Sequence, residues 1–228
     1  MAWPERPDVR GPAVKICGLT RAADRDAAIR AGASWLGFIF YPPSPRSLTP
    51  AAAGALVTNR PGAAEAVGVF VDPDDAWLDT VLASAQLDIL QLHGKETPER
   101  VAAIRARTGR RVMKALAVAD AADLDRHRAF VEVADLLLFD AKPPRTPGAI
   151  PGGNGLAFDW RLLAGQTIAL PWLLAGGLDE TNLSQAVGRT GATAVDVSSG
   201  VETAPGIKDP EAIARLLAVA RDLQPITA

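Results

Sequence analysis

The segment Val14-Lys15-Ile16-Cys17-Gly18 reads as a buried strand that stops at a glycine, and it carries the only cysteine of the chain. Thr20 is placed to cap a helix beginning near Arg21. Side chains alternate along a strand, so Lys15 and Cys17 share one face while Val14 and Ile16 share the other. A thiol and an amine thus point the same way at a strand's C-terminal end. Most free cysteines are small buried hydrophobes. What sets Cys17 apart is how the rest of the chain converges on that end.

Working outward, the same strand-then-helix cycle recurs. Helix 21–31 runs to Gly32, strand Leu36–Phe40 ends in a proline-rich loop, and helix 50–59 follows a Thr49-Pro50 start. Strands are expected at 66–71, 88–93, 112–116, 135–140, 172–175 and 194–198. Helices are expected at 74–85, 97–108, 120–130, 158–164, 179–189 and 209–222. Alternation of this kind builds parallel βαβ units, which close as a barrel or remain an open doubly wound sheet. Eight units in 228 residues favour the single-domain α/β architecture of a (β/α)8 TIM barrel over residues 14–228. Residues 1–13, with three prolines between Met1 and Pro12, read as a short mobile leader.

Composition narrows the function classes. With 48% hydrophobic residues the chain can bury a full core, and its 24 basic and 26 acidic residues leave no electrostatic footprint for nucleic acid or an anionic membrane. No apolar run approaches the roughly 18 residues of a membrane span, and the start lacks a signal-peptide core. One cysteine rules out an internal disulfide and suits a reducing compartment. The expected setting is cytoplasmic.

In such a barrel the chemistry sits at the C-terminal ends of the strands. Cys17 ends the first strand, Arg46 follows the second, Gln91 and His93 share a face of the fourth, Asp140 ends the sixth, and Asp196 and Ser198 share a face of the eighth. Three glycine-rich turns follow the last three strands: Gly152-Gly153-Asn154-Gly155, Gly176-Gly177 and Ser198-Ser199-Gly200. Glycine lets backbone N–H groups approach a ligand closely. Barrels often hold a phosphate at the loops after strands seven and eight, so a phosphorylated small-molecule substrate is expected.

These motifs, in this order, resemble the phosphoribosylanthranilate isomerase family. The resemblance rests on Lys15-Ile16-Cys17-Gly18, Gly37-Phe38-Ile39-Phe40, Ser44-Pro45-Arg46, Gly68-Val69-Phe70, Gln91-Leu92-His93-Gly94, Leu138-Phe139-Asp140, Leu174-Ala175-Gly176-Gly177-Leu178, Asp196-Val197-Ser198-Ser199-Gly200-Val201-Glu202 and Pro205-Gly206-Ile207-Lys208-Asp209. Asn154 departs from the threonine usual in the family's phosphate loop but keeps a small polar side chain. The resemblance implies an Amadori rearrangement of phosphoribosylanthranilate in tryptophan biosynthesis, with no metal and no cofactor. It implies Cys17 as general base and Asp140 as general acid, and Arg46 as the partner of the anthranilate carboxylate. Asp196 is implied near the sugar hydroxyls, with Gly153, Gly155, Gly176, Gly177, Ser198, Ser199 and Gly200 around the substrate and its phosphate. For this pair to work, Cys17 should be partly thiolate with help from Lys15, and Asp140 should be held protonated by desolvation. His93 reads as interior polar filler. The oligomer is expected to be a monomer or homodimer, with loops 41–47 and 141–155 as candidate lids.

Two alternatives are set against this reading. The related isomerase of histidine biosynthesis carries an aspartate on strand one and two phosphate sites, whereas here strand one ends in cysteine and the first half has no Gly-Gly phosphate loop. A non-catalytic assembly partner would have no need of Cys17, Asp140 and Arg46 together.

Overall fold

Local signals set most of the helix boundaries. The computed structural model describes residues 11–58, 60, 62–142, 152, 155 and 157–223. Asp74 caps α3 (Asp75–Ser84) by accepting from the Trp77 amide, and Thr97 caps α4 (Pro98–Thr108), which has proline in its first turn. Asp209 does the same for α7 (Pro210–Asp222). Gly32 ends α1 (Ala22–Ala31) and Gly109 ends α4, both in the left-handed conformation that favours glycine. The helix series is completed by α2 (Pro50–Thr58), α5 (Ala121–Asp125) and α6 (Leu183–Thr190).

The strands are β1 (Ala13–Ile16), β2 (Trp35–Ile39), β3 (Glu65–Phe70), β4 (Ile89–Leu92), β5 (Arg111–Val118), β6 (Leu136–Ala141), β7 (Trp172–Leu174) and β8 (Ala194–Val197). They pair in chain order into a closed barrel, all in parallel, with β8 returning to β1 in the register Lys15 to Asp196. The open-sheet alternative is thereby removed. A two-stranded ribbon, β9 (Glu202–Ala204) with β10 (Ile207–Lys208), follows the last strand.

The register sorts side chains into two cores. Outward-facing residues such as Val14, Ile16, Leu36, Phe38, Leu137 and Phe139 join the helices in the larger one. Inside the barrel, Trp35, Val67, Ile89, Met113, Leu136, Leu138, Leu173 and Ala194 form a separate apolar plug. Above the plug the inward stripe turns polar: Lys15, Gln91 and Asp196 are buried there, with Cys17, Asp140 and Ser198 toward the strand ends. The plug excludes water from below, which makes every charge above it matter more.

Several local expectations are revised. Thr20 does not cap α1, whose N-cap is Arg21 without a side-chain bond; its hydroxyl donates to the Gly206 carbonyl instead. The segment 120–130 is helical only to Asp125 and continues as a tighter 3-10 turn over Arg126–Phe130. The expected helix at 158–164 is a 3-10 turn, Trp160–Leu163, and α6 starts at Leu183 rather than 179. Asp179 explains the last difference, because its carboxylate takes the amides of Thr181 and Asn182 in a turn that precedes the helix. Strand β1 includes Ala13, and Gly11 lies so close to α7 that a Cβ there would meet the Ala220 carbonyl.

Candidate active site

Cys17 follows β1 with its amide bonded to the Val197 carbonyl of β8, so its position is fixed by the seam that closes the barrel. Gly37 on β2 makes room for it: a Cβ at Gly37 would stand 2.8 Å from the Cys17 sulfur and 3.1 Å from Lys15 Nζ. The thiol is buried. Lys15 Nζ, fully buried, lies 2.9 Å from Asp196 Oδ1. Burial works to lower the affinity of Lys15 for its proton, but Asp196 and then Cys17 outweigh it, and the ammonium is held above the ordinary lysine range.

The thiol behaves otherwise than expected. Burial pushes the proton affinity of Cys17 up, Lys15 pulls it down, Asp196 pushes it up again, and the net result is a thiol held above the ordinary range. Lys15 is two positions from Cys17 in the sequence, whereas its counter-ion Asp196 is 181 residues away along the chain. Because Asp196 neutralises much of Lys15, desolvation wins.

Asp140, buried on β6, accepts from the Ala141 amide through Oδ1 at 2.8 Å. Its Oδ2 lies 3.3 Å from His93 Nε2. His93 is thus no filler but a neighbour of the candidate acid. The ring is held from the other side by Gln91, whose Nε2 is 2.8 Å from His93 Nδ1. Gly152 closes over the pair, since a Cβ there would meet Asp140 Oδ2 and His93 Nε2 at 2.9 Å each. The i, i+2 spacing of Gln91 and His93 was the signal available in the sequence; their meeting with Asp140 two strands away was not.

Arg46 is placed at the mouth of the site, but its planar fork is already engaged. Nε and Nη2 donate to the two carboxylate oxygens of Glu202 at 2.8 and 2.7 Å, with both side chains almost wholly buried. Nη1 has no partner among the described residues. Glu202 also accepts from Lys208 Nζ at 2.7 Å, and Lys208 reaches the Ser198 carbonyl at 3.0 Å. Glu202 and Lys208, absent from the expected site residues, therefore set the orientation of Arg46.

Two adjoining depressions open at this end of the barrel. One is lined by Cys17, Tyr41, Arg46, Gln91, His93 and Asp140, with Val69 and Val71 as an apolar wall. The other is lined by Gly152, Gly155, Gly176, Gly177, Ser198 and Ser199. Asp140, Gly152, Asp196 and Ser198 border both. Gly176 and Gly177 have φ values of 91° and 61°, turning the chain after β7 where a side chain would be strained. The amides of Gly176, Gly177, Ser199 and Gly200 have no acceptor among the described residues, so this depression presents N–H donors to an anion. Gly200 packs its Cα against the Leu178 carbonyl, and a Cβ there would sit 2.0 Å from that oxygen. Gly153 and Asn154 lie outside the described residues, as does most of the expected lid at 141–155; in the other, Ser44 and Arg46 are buried.

No group of three or more His, Cys, Asp or Glu side chains placed to hold a metal ion occurs among the described residues. No helix among them is long and apolar enough to cross a membrane.

Comparison with known proteins agrees with this geometry. Residues 14–219 match the family described as N-(5'phosphoribosyl)anthranilate (PRA) isomerase. The N-(5'-phosphoribosyl)anthranilate isomerase of Paramagnetospirillum magneticum is 57% identical over 213 residues, 93% of this chain and 98% of that protein. That of Paracoccus denitrificans is 58% identical over 205 residues, 90% and 95% of the two chains. Among solved structures, the phosphoribosyl anthranilate isomerase of Thermotoga maritima superposes with a TM-score of 0.83 at 34% identity, covering 93% of this chain and all of that one. A phosphoribosyl anthranilate isomerase in complex with reduced 1-(o-carboxyphenylamino)-1-deoxyribulose 5-phosphate gives a TM-score of 0.80 at 33% identity, with the same coverage of each chain. The chain belongs to the N-(5'-phosphoribosyl)anthranilate isomerase family.

Proposed function

We propose that the barrel converts N-(5-phosphoribosyl)anthranilate to 1-(2-carboxyphenylamino)-1-deoxyribulose 5-phosphate, an aldose–ketose isomerisation of tryptophan biosynthesis, and that Cys17 and Asp140 carry it. The observation that supports these roles is the placing of a thiol and a carboxyl at the ends of strands one and six, lining one depression beside the amides of Gly176, Gly177, Ser199 and Gly200, which have no acceptor among the described residues.

The chemistry needs two proton transfers. Asp140 protonates the furanose ring oxygen, the C–O bond opens, and a Schiff base forms at C1. Cys17 as thiolate removes the C2 proton, giving an enolamine that tautomerises to the ketone. The atoms balance without oxidant or reductant. A thiol held neutral by burial needs a trigger, and the nearby cations supply a favourable field once the proton leaves: Lys15 and Lys208 both act to lower its proton affinity.

The phosphate is assigned to the amides of Gly155, Gly176, Gly177, Ser199 and Gly200, beside the Ser198 hydroxyl, and from the family resemblance to Gly153. That depression has only carboxylates among its charged lining residues, so backbone dipoles, not cations, attract the dianion there. Arg46 is assigned to the anthranilate carboxylate through Nη1, its other two nitrogens being fixed on Glu202. Asp196 is assigned to the sugar hydroxyls. The described residues from Ala13 to 223 are assigned to the catalytic barrel, and the single cysteine supports a cytoplasmic setting.

The test is loss of the substrate's anthranilate fluorescence in a coupled assay, with the labile substrate made in situ from anthranilate and phosphoribosyl pyrophosphate. Conversion by the wild type, abolished in Cys17→Ala and Asp140→Asn, is the expected result. Full conversion by either variant would remove that residue from its role.

A further inference from the structure

Gln91 is fully buried inside the barrel, one layer below His93 on the same face of β4. Its Nε2 is the atom 2.8 Å from His93 Nδ1. An amide nitrogen can only donate, so Nδ1 must accept, and the ring proton of neutral His93 is then on Nε2. That nitrogen lies 3.3 Å from Asp140 Oδ2, within ion-pair distance but not aligned as a hydrogen bond here, as is common for catalytic contacts before substrate binds. The other end of the amide, Oε1, is buried and has no hydrogen-bond partner among the described residues. The large majority of buried side-chain polar atoms have a partner. Here one end of the amide is committed to an imidazole and the other has no partner among the described residues.

We infer that Gln91 is a positioning residue that fixes His93 as its Nε2–H tautomer, so that His93 presents a donor, not a lone pair, to the candidate acid Asp140. A donor at that place is positioned to hydrogen-bond the carboxylate left when Asp140 gives up its proton to the substrate. The opposite tautomer would set a lone pair against the new carboxylate and oppose the transfer. The backbone around His93 is held for this purpose: Lys114 Nζ, paired with Glu96 at 2.7 Å, takes the Leu92 carbonyl at 3.1 Å and the Gly94 carbonyl at 2.8 Å, on either side of the histidine. The charged and titratable groups sharing the depression with His93 are Cys17 from β1, Arg46 from the loop after β2, Asp140 from β6 and Asp196 from β8, with Tyr41 beside Arg46. None of these is paired with Nδ1, whose partner among the described residues is Gln91. The link to Asp140 rests on the proposed acid role; the tautomer itself does not.

The protein has two histidines, which makes the test direct. His127 Nδ1 lies 2.9 Å from the Leu124 carbonyl and must carry a proton there, so it is the opposite tautomer and an internal reference. Long-range proton–nitrogen correlation spectra of the ligand-free wild type at neutral pH are expected to show His93 protonated on Nε2 and bare on Nδ1, with His127 protonated on Nδ1. Gln91→Glu replaces the donor by an acceptor and should move a proton to His93 Nδ1. Gln91→Met, which buries no charge, should release the lock and give a mixed signal. Both variants should lose at least tenfold in kcat with KM changed less than threefold. A wild-type His93 protonated on Nδ1, or the same form in all three proteins, overturns the tautomer assignment. The assigned tautomer with undiminished kcat in both variants overturns its catalytic use. Separately, an Asp140→Asn enzyme of full activity would sink the acid assignment while leaving the nitrogen spectra as they are.

Discussion

Lys15 and Asp196 meet across the seam that closes the barrel, with an ion pair of 2.9 Å one layer below Cys17 on the same inner face. The pair is buried and places both a positive and a negative charge next to the thiol. It therefore does less to ionise Cys17 than a lone lysine would.

The ionisation of the thiol follows from this. Thiolate is the active form of the base, and the net environment favours the thiol. The ultraviolet absorbance of the thiolate, read against Cys17→Ala, should thus rise with pH and level off only above about 8.5, the ordinary thiol value. A plateau already reached at pH 7 would contradict it. Lys15→Met removes the strongest influence that lowers the thiol and should move the limb higher still.

The same substitution leaves Asp196 buried without its partner. Breaking a buried pair on one side costs about 3–5 kcal/mol, so Lys15→Met should lower the urea midpoint markedly. The double variant Lys15→Met, Asp196→Leu should recover most of the loss in stability but not the activity.

Removing either proton carrier should slow chemistry far more than binding. Cys17→Ala and Asp140→Asn are each expected to lower kcat by about 10²–10⁴, with KM within a few-fold of wild type and an unchanged far-ultraviolet circular dichroism spectrum.

Glu202 predicts an acid-sensitive fold. Burial pushes its carboxyl up, but Arg46 and Lys208 outweigh this and hold it below the ordinary glutamate range. A depressed carboxylate contributes stability above its unfolded value, about 4.3, and that contribution disappears as pH falls through the folded value. Urea unfolding of Glu202→Gln between pH 7 and 3 should show a flatter acid loss than wild type, and KM should rise because Arg46 is no longer held.

The phosphate assignment is tested at Gly200. Alanine there drives a Cβ into the Leu178 carbonyl at 2.0 Å, a backbone clash that no rotamer relieves. Gly200→Ala should raise KM at least tenfold and weaken inhibition by inorganic phosphate to a similar degree, with kcat much less affected.

Much of this was legible beforehand because it depends on local patterns. The strand ends, each within one residue of Cys17, Asp140 and Ser198, follow from two-residue periodicity, and the turns at Gly32 and Gly176 follow from a backbone conformation glycine adopts freely. What escaped the sequence depends on partners distant along the chain. Thr20 could not be known to face Gly206, nor Arg46 to face Glu202, 156 residues later. His93 reads as filler until the barrel closes and brings β4 and β6 to face one depression. The proton affinity of Cys17 was misjudged for the same reason: Lys15 is two positions away, but the charge that cancels it lies in the last strand.

That last separation has a consequence for the order of synthesis. Cys17 and Lys15 leave the ribosome first, and Asp196 follows 181 residues after Lys15. At about 5–20 residues per second the interval is roughly 10–40 s. During it the lysine lacks Asp196 and the barrel has an open edge on β1, whose pairing awaits β8. The nascent enzyme therefore carries an exposed strand and an uncompensated charge until β8 arrives, and chemistry begins only when the first and last strands of the barrel have met.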